Sequence, residues 1–131
     1  MSDNIITKIE AAIDRRLASN KGVCFNEWGI EYNIKEAQWE ALGDKVCPLS
    51  CVVLQNQPFP YMTDEKYGTP CASVVDTVAD LLNVNSSWVL GFIDAYDGKQ
   101  ILEINSSSYG IGYATGLKIR NKVLGKNDNL A

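Results

Sequence analysis

The stretch from Thr69 to Gly98, TPCASVVDTVADLLNVNSSWVLGFIDAYDG, constrains the fold of this chain more than any other. Thr69 can cap a helix, and Pro70 suits a first turn, where the missing backbone N–H is not needed and φ is already helical. Val74, Val75, Val78, Ala79, Leu81 and Leu82 recur at helical spacing, with Asp76, Thr77 and Asp80 between them. The pattern predicts a helix ending near Leu82, a turn in which Asn83 is left-handed, and a second helix capped by Asn85 or Ser86. Trp88, Val89, Phe92, Ile93 and Tyr96 give the second helix its apolar face, and Asp97-Gly98 its stop. Two such faces must be buried against other elements. The expectation is a mainly α, compact single domain (1–131) of four or five helices around a central helical hairpin, with room for one short strand pair.

The flanking segments extend that reading. Ser2 or Asp3 caps a first helix with Ile5, Ile6, Ile9, Ala12, Ile13 and Leu17 as its buried stripe, ended by Asn20 and Gly22. From Val23 to Tyr32 apolar residues partly alternate around Gly29, which predicts an irregular or short extended piece, followed by a short helix near Lys35 to Leu42 closed by Gly43. Trp28, Tyr32 and Trp39 are expected in the core. Between Asp44 and Pro70, four prolines and Gly68 forbid a long regular element, leaving one short strand or helical turn at Cys51 to Leu54. A last helix is predicted from the serines at 106–108 to about Leu124, with Gly112, Tyr113, Gly116, Leu117, Ile119 and Val123 inward and 125–131 as a frayed tail.

Charge and residue usage narrow the function classes. The chain of 131 residues carries a net charge of -4, which disfavours non-specific binding to nucleic acid or an anionic membrane. Acids gather between Thr69 and Asn105 (Asp76, Asp80, Asp94, Asp97, Glu103) and bases after Ser106 (Lys118, Arg120, Lys122, Lys126). No run approaches the roughly 20 apolar residues of a membrane span, and MSDNIITKIE lacks the order of a signal peptide, so a cytoplasmic chain is expected. Cys24, Cys47, Cys51 and Cys71 are then reduced thiols rather than a disulfide framework. There is no histidine. That removes Ser-His-Asp and Cys-His catalysis and any imidazole metal site.

Five motifs have a chemical reading beside a packing one. Val78, Ala79, Leu82, Asn83, Val84, Val89 and Phe92 fit a helix-turn-helix, with Asn85, Ser86, Ser87 and Leu90 toward DNA, but the neighbours are acids rather than phosphate-neutralising bases. Cys47 and Cys51, with three residues between them, could join Cys24 and Cys71 in a four-thiolate zinc site or act as a redox pair, although the spacing is one longer than the usual knuckle. Asp94 and Asp97 before Gly98 fail as a calcium loop, because positions one and twelve fall on Ile93 and Ile104. Gly110, Gly112 and Gly116 resemble a dinucleotide turn but leave too little chain for the strand that fold requires, so they read as helix packing. Glu27 and Glu31 flank an aromatic cluster and could work as an acid and base pair, which requires one of them desolvated and the two held at a defined separation; exposed carboxylates beside a core aromatic are commoner.

The expected role is therefore a small cytoplasmic binding or regulatory protein without a cofactor. It would act through a protein or small-molecule partner, at a surface or pocket beside the loop from Asp44 to Gly68. A DNA-binding regulator and a cysteine-based zinc or redox protein are the alternatives. Broad apolar faces in so short a chain allow a homodimer.

Overall fold

The first helix, α1 (Ser2–Ala18), buries Ile9, Ala12 and Ile13 and half-buries Ile5, Ile6 and Leu17, the stripe its spacing requires. The computed structural model describes residues 2–33, 35–36, 38–56, 74–101 and 107–130. The expected cap at Thr69 and Pro70 and most of the loop from Asp44 to Gly68 lie outside the described residues.

After α1 come four short strands. β1 (Gly22–Val23) pairs in parallel with β4 (Lys45–Val46), and β2 (Ile30–Asn33) pairs antiparallel with β3 (Gln38–Ala41). The short helix expected over Lys35 to Leu42 is corrected by this hairpin. Locally KEAQWEAL is good helix sequence, but so short a helix is marginal by itself and yields to tertiary packing. Trp39 turns inward to 7% exposure and meets Tyr32 edge-on across the ladder, with ring centroids 5.4 Å apart. Asn33 shapes the turn, its Oδ1 accepting from Glu36 N at 3.0 Å. Two strand pairs form where room for one was expected.

Pro48 also starts a helix where one short strand or helical turn was expected. In α2 (Pro48–Gln55), Pro48 occupies the first turn after an extended Cys47, and Pro48 to Val53 are all buried. This eight-residue helix packs on α1 and on α3 (Val74–Leu82). The hairpin of α3 and α4 (Ser86–Tyr96) forms as predicted. Asn85 caps α4, its Oδ1 accepting from Trp88 N at 3.1 Å.

Three helix ends close in the same way. Asn20, Asn83 and Gly98 follow α1, α3 and α4 with φ of 60°, 56° and 81°. Each donates its N–H three residues back, to Leu17, Asp80 and Ala95, while the next residue's N–H reaches Arg16, Ala79 and Asp94. The last carbonyls are thereby satisfied, and the chain turns sharply.

α5 (Ser107–Leu130) continues past the expected end at Leu124, and its most extensive contact is with α4. The two helices touch backbone to backbone. A Cβ on Gly91 would fall on the Tyr109 carbonyl, one on Gly112 on that of Trp88, and one on Gly116 on that of Phe92, all inside any permitted contact distance. Ile119 and Val123 are buried as expected, but Leu117 is 42% exposed and does not face inward. The far end of the seam holds a column of rings, Trp88, Phe92, Tyr96 and Phe25, with the Phe25–Tyr96 centroids 4.5 Å apart. Arg120 covers Phe25 at 5.1 Å and donates to the Tyr96 carbonyl at 2.6 Å. A Lys122–Glu10 ion pair at 2.6 Å ties α5 to α1. Among the described residues the fold is thus mainly α with five helices, and no helix is long and apolar enough to cross a membrane.

The seam makes a paired prediction. Gly112→Ala should destabilise by about 3 kcal/mol, since a backbone carbonyl cannot give way as a side chain can. Gly110→Ala, whose methyl meets nothing within 4 Å, should gain up to about 1 kcal/mol of helix propensity. Urea denaturation of both variants beside the parent measures the difference, and similar effects in the two would contradict the seam.

Candidate functional site

The strand layer builds a groove of about 650 Å³ between two segments, Glu27 to Ile30 and Leu42 to Lys45. Main-chain bonds fix both walls. Leu42 N donates to the Gly29 carbonyl at 2.8 Å, Cys47 N to that of Trp28 at 3.0 Å, and Gly22 N to that of Asp44 at 3.0 Å. The buried Ser50 hydroxyl also donates to the Trp28 carbonyl, at 2.7 Å. Gly29 sits at φ 74° with its missing Cβ against Lys45 O and Val46, so only glycine lets the walls come this close. From behind, Arg16 on α1 holds the second wall: its Nη2 donates to the Gly43 and Asp44 carbonyls at 3.4 and 3.1 Å, and its Nε to Gly22 at 3.1 Å.

What lines the groove differs from what holds it. Trp28 is half-buried and Leu42 is 63% exposed, the most exposed large apolar side chain among the described residues. Glu27, Asp44 and Lys45 place charges on the rim, and none of the three forms an ion pair among the described residues. An apolar floor with a few polar groups at its edge is the usual make-up of a small-ligand or peptide site. Trp28 packs against the core as expected while part of its ring reaches the groove, and Leu42 lies outside the expected helix. Gly29 and Gly43 were the only local signals of the bend.

The thiols are gathered but not activated. Cys24, Cys47 and Cys51 lie close enough to Tyr96 to influence its phenol electrostatically. Burial pushes the Cys47 thiol far above its ordinary value and that of Cys51 up to about 12, the latter despite the Arg16 guanidinium beside it. Burial raises Cys24 as well, with Glu27 adding to the effect. Protonated thiols are neither nucleophiles nor metal ligands without further cost. Among the described residues no group of three or more His, Cys, Asp or Glu is disposed to hold a metal ion, and Cys71 lies outside them. The Tyr96 hydroxyl, fully buried, finds no hydrogen-bond partner among the described residues.

The remaining sequence candidates are structural. Asp94 accepts from the Tyr109 hydroxyl, and Asp97 accepts from Asn26 N at 2.8 Å while ending α4. Glu27 and Glu31 are both exposed, and Glu31 faces Glu40 in the ladder rather than Glu27. The glycines of α5 serve the seam. In the helix-turn-helix reading, Val78, Ala79, Leu82, Val89 and Phe92 are buried as required. However, Val74 to Gly98 contains no Lys or Arg, and Asn85 at the start of α4 donates to the Ser108 hydroxyl of α5 at 2.8 Å. No protein-family model, curated protein or solved structure matches the chain.

Burial of Cys51 has a measurable sign. Below its ordinary value of 9.0 the thiol is protonated in both folded and unfolded chains. Between there and about 12 the unfolded chain releases the proton while the folded chain keeps it, so stability falls as pH rises. The stability difference between the parent and Cys51→Ala should therefore narrow by about 1 kcal/mol per pH unit above that value, read by denaturant titration from pH 8 to 11. The orphaned hydroxyl gives a second expectation: Tyr96→Phe should raise stability by about 1 kcal/mol, and a loss of that size would mean the hydroxyl has a partner.

Proposed function

We propose that this chain is a small binding or regulatory protein that takes its ligand in the groove between Trp28 and Leu42. The observation that carries the reading is Leu42, held 63% exposed at the edge of a concavity whose walls are fixed by main-chain bonds. A leucine this exposed contributes little to the fold. Burying it under a ligand recovers about 1.5–3 kcal/mol, and rigid walls reduce the ordering that binding would otherwise demand. The charges on the rim then orient what the apolar floor attracts. The groove adjoins the start of the loop from Asp44 to Gly68, the place the sequence singles out.

The test uses a fragment library and two-dimensional NMR of the labelled protein. Binders are expected to move the Trp28 indole and the amides of Gly29 and Gly43, and Leu42→Asp should weaken them at least about ten-fold. The same substitution should change stability by no more than about 0.5 kcal/mol, because the side chain is already in water. A library whose binders all settle elsewhere, for instance in the apolar concavity of Ile5, Leu82 and Ile111, would remove the basis for this proposal.

A further inference from the structure

The C-terminal end of α1 encloses a second, smaller pocket of about 200 Å³, lined by Arg15, Arg16, Ser19, Lys21, Gln55 and, at its apolar side, Cys51 and Leu54. Its charge is one-sided. Three cationic residues line it with no carboxylate among them, in a chain whose net charge is -4. The ordinary account of bases here is the helix dipole, which favours positive charge at a C-terminus. That account is too small, because the dipole amounts to about half a negative charge against three positive ones. The helix end is also already satisfied: Ser19 Oγ donates to the Arg15 carbonyl at 3.2 Å, and Asn20 N and Lys21 N close on Leu17 and Arg16. Among the described residues Arg15, Arg16 and Lys21 form no ion pair.

One of the three cations is rigid. Arg16 is only partly exposed, and its Nε and Nη2 are committed to the carbonyls of Gly22, Gly43 and Asp44. Its Nη1 makes no hydrogen bond among the described residues, which leaves a fixed positive donor beside the pocket. Arg15 and Lys21 are exposed side chains free to close over an occupant.

We propose that this pocket binds a small tetrahedral oxyanion, either free phosphate or the phosphoryl group of a monoester. The volume admits such a group together with a small organic remainder or water, the donors are cationic, and guanidinium geometry matches phosphate oxygens. The pocket opens apart from the groove at Trp28, and Arg16, which braces the groove wall from behind, is the side chain that joins the two.

The experiment titrates labelled protein with inorganic phosphate and, separately, glycerol 2-phosphate, holding ionic strength constant with sodium chloride because surface charge effects are screened by salt. Saturable shifts of the Arg16 Nε resonance and of the Ser19 and Lys21 amides are expected. Arg15→Gln and Lys21→Gln should each weaken the interaction at least about three-fold, with the melting temperature unmoved, since both side chains are exposed. Tighter binding of the monoester identifies an organic phosphate as the ligand class, and equal binding identifies free phosphate. Shifts that never saturate, that chloride reproduces, or that survive both substitutions overturn the proposal.

Discussion

The aromatic column of this protein rests on how closely α4 and α5 approach. Their contact is main chain against main chain at Gly91, Gly112 and Gly116, a geometry that any side chain at these positions would prevent. Close approach lets Trp88, Phe92 and Tyr96 stack in one column and brings Arg120 onto the carbonyl end of α4. The column in turn receives Phe25 from the strand region, so the strand layer is positioned by the helix pair. Moving α5 outward by one methyl group would disturb all of these contacts together.

The strand layer is held differently. It contains only short pairs, which by themselves are marginal in water. Its order comes from carbonyls that each find a donor on another element: Trp28 from Cys47 and Ser50, and Gly43 and Asp44 from Arg16. A groove walled by satisfied main chain can leave Leu42 in water without loosening. The side chain that braces the groove from behind also lines the cationic pocket at the end of α1, so Arg16 serves two surfaces at once.

Much of the helical frame was legible from spacing. The stripe of α1, the α3–α4 hairpin, and the roles of Asn83, Asn85 and Gly98 follow from local chemistry that the tertiary structure does not override. The glycine pair of α5 was legible as close packing, although its partner was not. The failures share a cause. Gln38 to Ala41 has helical composition but is claimed by Trp39 packing on Tyr32, and Pro48 starts a helix that only burial against α1 and α3 makes worthwhile. The groove was illegible for the same reason: Trp28 and Leu42 are brought together by bonds between residues 13 to 22 positions apart, which no local pattern encodes.

The separation in sequence of these contacts has a kinetic consequence. α4 and α5 are neighbours along the chain, so their seam closes a short loop and can form early. By contrast, Arg16 must find carbonyls 27 and 28 residues away, and Glu10 meets Lys122 across 112 residues. Docking of α1 joins the two ends of the chain, so its contacts carry a larger loop-closure cost than those of the seam.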